Sequence, residues 1–290
     1  MTADVLMSLP SFSLAFGILL GIVYLTACAF LYFWQTRMLF FPSAQIQTTP
    51  EVFHLDYEEV WITVQPGEWL HGWWIPAESP QAPVVLHFHG NAINIGANVD
   101  QADRFHQLGL SVLLMDYRGY GQSRGKFPHE KQVYADAEIM WNYLTRDRQI
   151  PPQQIVLFGH SLGGAIAIEL AIHHPQAAAL IVESSFTSIR HMVDRTMNLS
   201  FFPVNLLLTQ HFNSIDKVKA LQMPVLFIHG TADTRTLPDM TEDLYAAAPH
   251  PKQLYLVPVA AHNDVAMIGG DAYLAVVQKF LHLSDSQYRW

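Results

Sequence analysis

Apolar positions along the chain fall into two regimes. Residues 5–35 form 31 consecutive uncharged positions dense in Leu, Phe, Ile, Val and Ala, where about 20 such residues suffice for a helix to cross the hydrocarbon core of a bilayer. A membrane-spanning helix at about 12–33 within an anchor segment 1–37 is the expectation. Tyr32, Trp34 and Arg37 stand at its far end, where amphipathic rings and a long cation settle at the interface. After Phe41 and Pro42 a polar stretch reads as a linker, 38–56, and residues 57–64 and 69–75 read as paired leading strands.

From Pro83 the rhythm changes. Short apolar runs at 84–88, 110–115, 155–158, 179–182, 225–228 and 254–257 alternate with longer helical patterns, which predicts βαβ units around a mostly parallel sheet with helices on both faces. Near-continuous apolarity in those runs fits strands covered on both sides. The catalytic domain is therefore placed at 57–290. One interval, 186–220, lacks a strand pattern but holds Phe201-Phe202-Pro203 and Leu206-Leu207-Leu208; it reads as a lid-like insertion.

Composition narrows the function classes. Half of the 290 residues are hydrophobic, so a large core can be buried. Sixteen Lys and Arg against 25 Asp and Glu give a formal charge of −9, the wrong sign for following a phosphate backbone; no nucleic-acid partner is expected. Fifteen histidines are present, yet none sits in an HExxH arrangement, and neither a metal nor another cofactor is expected. The lone cysteine, Cys28, excludes an intramolecular disulfide. It ends Leu25-Thr26-Ala27-Cys28, which has the form of a bacterial lipobox. Against a processed leader, residues 1–4 carry no Lys or Arg and the apolar run continues to Phe33. The expected location is a single-pass membrane protein, the side of the membrane and the oligomeric state being left open.

Gly159-His160-Ser161-Leu162-Gly163 places G-x-S-x-G between an apolar strand and a helical pattern. A serine on such a turn brings its second neighbours close together, so glycine on both sides avoids a Cβ clash. A serine hydroxyl needs a base to take its proton. His262 follows the last strand run, and Asp233 follows the penultimate one, 72 residues after the serine and 29 before the histidine, in the order Ser, Asp, His. Glu183, at the end of an earlier strand, is the competing acid. For the oxyanion, the backbone N–H of Leu162 and, in the loop His89-Gly90-Asn91-Ala92, that of Asn91 are the candidate donors.

These motifs, with Asp116-Tyr117-Arg118-Gly119-Tyr120-Gly121, Ser185-Phe186-Thr187-Ser188 and His262-Asn263-Asp264, resemble the α/β-hydrolase superfamily. The combination is similar to small membrane-anchored serine hydrolases, among them protein depalmitoylases and serine-aminopeptidase-like hydrolases. The resemblance implies the α/β-hydrolase fold, esterase-type or thioesterase-type activity, and the triad Ser161, Asp233, His262. It also implies a structural role for 116–121, with Arg118 tying loops together. Thr234-Arg235-Thr236-Leu237-Pro238 and Ala260-Ala261 depart from the usual pattern around the acid and before the histidine. The expected activity is hydrolysis of a small-molecule, lipid or acyl ester through an acyl-serine. Two alternatives stand beside it: an aminopeptidase, for which Glu183 and Asp194 could bind a free amine, and a non-catalytic binding protein on the same fold.

Overall fold

The computed structural model describes the backbone of residues 3–287 and the side chains of residues 13–281. The side chains of residues 1–4, which bear on the leader, and residues 288–290, which end the expected 57–290 domain, lie outside the described residues. The long apolar run is one helix, α1 (Ala3–Leu39), which continues past Phe33. Its Ser13–Leu39 part has mean hydropathy 2.4 in its most apolar stretch, of which 6% is buried. A helix apolar on all sides belongs in a core or in lipid. So little of this stretch is buried that a core helix is excluded, and a helix long and apolar enough to cross a membrane remains.

Segment 38–56, expected as a linker, is fastened to the fold. Phe40 is buried in the main core, Phe41–Pro42 pairs in parallel with Ala92–Ile93, and the Asn94 amide donates to the Ser43 and Gln45 carbonyls at 3.0 and 2.8 Å. Backbone groups satisfied in this way hold the chain in one course rather than leaving it as a free tether.

Eight strands make the central sheet: β1 (Glu58–Gln65), β2 (Glu68–Ile75), β3 (Val84–Phe88), β4 (Ser111–Met115), β5 (Ile155–His160), β6 (Ala179–Glu183), β7 (Val225–Gly230) and β8 (Lys252–Val257). Their order is β8-β7-β6-β5-β3-β4-β2-β1. Only the β1–β2 and β2–β4 pairings are antiparallel; the other five are parallel. The mostly parallel sheet expected from the sequence is thus present. Side-chain alternation along each strand splits the core in two. Leu113 and Met115 point into one cluster with α3 (Glu130–Asn142), α4 (Leu162–His173) and α8 (Pro238–Ala247). Val112 and Leu114 point into the other, with α2 (Val99–Gln107) and α9 (Val265–Gln287).

Parallel strands with helical crossovers send all their carboxyl ends to one sheet edge. The loops after β3, β5, β6, β7 and β8 meet there. Interval 186–220 contributes three short helices, α5 (Ile189–Thr196), α6 (Val204–Leu207) and α7 (Ser214–Lys217), and reaches back to α1. The Tyr24 hydroxyl donates to the Phe201 carbonyl at 3.1 Å, its ring stacks on Phe202, and the Gln35 side chain bonds the backbone of Leu207 and Thr209.

Candidate active site

Ser161 sits between β5 and α4 with φ 55° and ψ −118°, a left-handed conformation that non-glycine residues occupy only when their surroundings enforce it. Packing enforces it here. A Cβ at Gly159 would lie 2.2 Å from the Gly163 carbonyl oxygen, and one at Gly163 would lie 2.0 Å from that of Phe88. Both positions therefore require glycine, and the serine is lifted to the sheet edge. Its N–H is held by the Glu183 carbonyl at 2.8 Å, and its carbonyl accepts the Ser185 hydroxyl at 2.9 Å.

His262, from the loop after β8, places Nε2 at 3.0 Å from Ser161 Oγ and Nδ1 at 2.7 Å from Asp233 Oδ2. Asp233, from the loop after β7, accepts the backbone N–H groups of Arg235 and Thr236 on Oδ1 at 2.8 and 3.1 Å. His229 Nε2 lies 3.1 Å from Oδ2, and the Thr236 hydroxyl is 2.9 Å from the same oxygen. Burial opposes the charge on Asp233, but the hydrogen bonds from His229, His262 and the Arg235 N–H outweigh it and hold the carboxyl well below the ordinary carboxylate range. An ionised Asp233 accepting at Nδ1–H leaves the Nε2 lone pair facing the serine hydroxyl. His160 N–H donates to the His262 carbonyl at 2.9 Å. Burial and the nearby His262 push His160 down to about 4, so it braces the loop as a neutral ring.

Two cavities meet at this point. One, of about 300 Å³, is lined by Leu31, Met38, Met192, Val193, Leu199 and Leu207 among others, with Ser161 and His262 at its edge. Asn91 and Leu162, the expected oxyanion donors, both line it, and the loop after β3 runs beside the nucleophile, where a Cβ added at Gly90 would lie in ordinary contact, 3.7 Å from the Ser161 Cβ. The second cavity, of about 290 Å³, is lined by His87, Asn98, Gln101 and Glu183. Glu183 does not face His262; its carboxyl accepts the Tyr273 hydroxyl at 2.7 Å. Asp194 is paired with Arg190 at 2.9 Å on α5 and lines neither of the two cavities at Ser161.

The serine aminopeptidase S33 family model matches residues 79–215. An uncharacterised protein of Mycobacterium tuberculosis is 36% identical over 253 residues, covering 87% of this chain and 89% of its own. Protein bem46 of Schizosaccharomyces pombe is 32% identical, with 91% of each chain covered. The chain belongs to the α/β-hydrolase superfamily. A Pyrococcus furiosus esterase structure, 21% identical, superposes with a TM-score of 0.70 over 84% of this hydrolase and 97% of the esterase, a likeness of fold. Arg118 in this hydrolase binds Asp136 on α3 and Glu68 on β2 at 2.6 and 2.7 Å, so it ties its own loop to a helix and a strand rather than to another loop. Sequence reading did not find His229 or Thr236 as partners of Asp233, nor α1 as a cavity wall. The odd polar run 234–238 was the available signal, and Thr236 lies within it.

Proposed function

We propose that this hydrolase is anchored in a membrane by α1 and cleaves a carboxylic ester or thioester through an acyl-Ser161 intermediate. The observation that carries the reading is the unbroken line from Ser161 Oγ through His262 to Asp233 at the edge of an apolar cavity. His262 takes the serine proton as Oγ attacks the acyl carbon, then delivers it to the leaving oxygen or sulfur; water releases the acid by the same path in reverse. The N–H groups of Asn91 and Leu162 are the proposed donors to the tetrahedral oxyanion, where each such donor is worth about 3–4 kcal/mol.

The acyl group is proposed to enter the apolar cavity, and its wall supports a lipidic chain. Leu31, Gln35, Met38 and Leu39 of α1 line it. These residues belong to the last turns of α1, beside Arg37, a long cation of the kind that settles at the interface, so the cavity is proposed to stand at the bilayer surface. Phe201 and Leu206 on the lid are 84% and 80% exposed beside the same helix, facing the acyl layer with it. An aminopeptidase needs a free carboxylate for the substrate amine; Asp194 is engaged by Arg190 and Glu183 by Tyr273, which favours the ester reading.

The test is a p-nitrophenyl ester series from acetate to palmitate on the full-length protein. Leu207→Asp puts a charge on the cavity wall and is expected to lower kcat/KM for palmitate at least tenfold more than for acetate. Equal losses along the series would remove the acyl assignment.

A further inference from the structure

The polar cavity has no task in the chemistry above, although it shares Asn91, Ser161, Arg235 and His262 with the apolar one. An ester poised on Ser161 between two cavities puts its acyl part in one and its alcohol in the other. The apolar cavity suits the acyl chain, which leaves the polar one for the alcohol.

Its lining says what kind of alcohol. His87 is fully buried, packs edge-on against Phe158 at 4.7 Å between centroids, and has no hydrogen-bond partner for either ring nitrogen among the described residues. A buried polar group left unpaired is costly, and this one lines the cavity, where a ligand can pair it. Burial, His89 and His160 all hold its basicity well down, so the ring is neutral, with one donor and one acceptor nitrogen. Across from it the Gln101 amide donates to the Tyr273 hydroxyl at 3.0 Å, and Tyr273 donates to Glu183 at 2.7 Å. Burial pushes Glu183 up to about 7, so this acid readily carries a proton and both donates and accepts. His87, Gln101 and protonated Glu183 in this lining are neutral groups that between them donate and accept, which matches hydroxyls, each of which does both. A phosphate would meet two acidic side chains, Asp100 and Glu183, against one cation, Arg235, which the cavity shares with the apolar one.

We infer that the polar cavity is a leaving-group site for a small uncharged polyol, so that the substrate is a long-chain acyl ester of a glycerol-like alcohol. This rests on the acyl-Ser161 reading and adds the identity of the alcohol. During the reaction the polyol oxygen takes the proton from His262 as its bond to the acyl carbon breaks, and the neutral alcohol leaves through this cavity.

The experiment compares kcat/KM of the full-length protein in nanodiscs for 1-monooleoylglycerol, methyl oleate and the oleate ester of ethanolamine. The common acyl chain makes the glycerol-to-methyl ratio insensitive to damage at Ser161 or in the apolar cavity. The wild type is expected to favour glycerol over methyl and over the amine by at least tenfold, and His87→Leu and Gln101→Leu each to cut the glycerol-to-methyl ratio at least fivefold. Gln101 lines the cavity from α2, a different element, so its variant keeps the test alive if the strand substitution fails to fold. A wild-type ratio near one, a preference for the amine ester, or an unchanged ratio in both folded variants would overturn the inference while leaving the acyl-serine in place. Loss of methyl oleate turnover and of fluorophosphonate labelling in the wild type would instead remove the acyl-serine and this inference with it.

Discussion

Replacing Asp233 by Asn tests the hydrogen-bond line where it is most fully specified. Oδ1 accepts two backbone N–H groups and Oδ2 accepts from His262, so an amide has two orientations and neither restores the network. With its NH2 toward Arg235 and Thr236, donors face donors, and each buried group left unpaired costs about 1–3 kcal/mol. With its NH2 toward His262, Nδ1 must accept, the ring proton moves to Nε2, and the imidazole donates to Ser161 instead of taking its proton. The second orientation is cheaper, and it switches off the base. The equivalent change in serine proteases lowers kcat about 10⁴-fold, which is about 5.4 kcal/mol of barrier at 1.36 kcal/mol per decade. Hydrolysis of p-nitrophenyl butyrate at pH 8 by Asp233→Asn is therefore expected to fall by three to four decades with the fold intact. A loss under tenfold would remove Asp233 from the role and return the acid to Glu183. Stability carries a second signature. A carboxyl held below its unfolded value of about 3.9 contributes stability that is full above that pH and is lost as pH falls through the window below it. The wild-type advantage in Tm over Asp233→Asn is expected at pH 6 and should shrink as pH is lowered from 4 toward 2; a constant gap would contradict the hydrogen-bonded, ionised carboxylate.

Two further substitutions probe the frame around the site. Arg118→Met leaves the buried Asp136 carboxylate without its cation and is expected to cost about 3–5 kcal/mol by urea unfolding; a change under 1 kcal/mol would show that the fold does not depend on this ion pair. Gly163→Ala forces a Cβ onto the Phe88 carbonyl oxygen. It is expected to lower Tm by roughly 4–10 °C and to depress turnover as the turn shifts; wild-type Tm and turnover together would contradict the packing account of the turn.

How far the sequence foretold this picture differs from element to element. The strand runs were legible because strands buried on both faces write themselves as short apolar blocks; 84–88 was read with the bounds the structure has. That Ser161, Asp233 and His262 come together was legible because each follows a strand whose carboxyl end must reach the same edge. Segment 38–56 was misjudged in character: its polar composition reads as a tether, but its backbone groups bond to Asn91, Ile93 and Asn94, contacts about 50 residues away that no local pattern encodes. The polar cavity was invisible for the same reason. His87, Gln101, Glu183 and Tyr273 come from β3, α2, β6 and α9, and only the folded sheet brings them together. The wall that α1 lends to the apolar cavity was hidden by its own sequence, since a run apolar on every side carries no mark of which side faces protein.

The central claim is that Ser161 is an activated nucleophile. Incubation of the full-length protein in nanodiscs with a fluorescent fluorophosphonate, beside Ser161→Ala and His262→Ala of matched Tm, measures this directly. The account predicts labelling of the wild type at Ser161 within minutes, none in Ser161→Ala, and labelling slowed at least a hundredfold in His262→Ala. A folded wild type that takes no label, or a Ser161→Ala variant that takes as much, would contradict it.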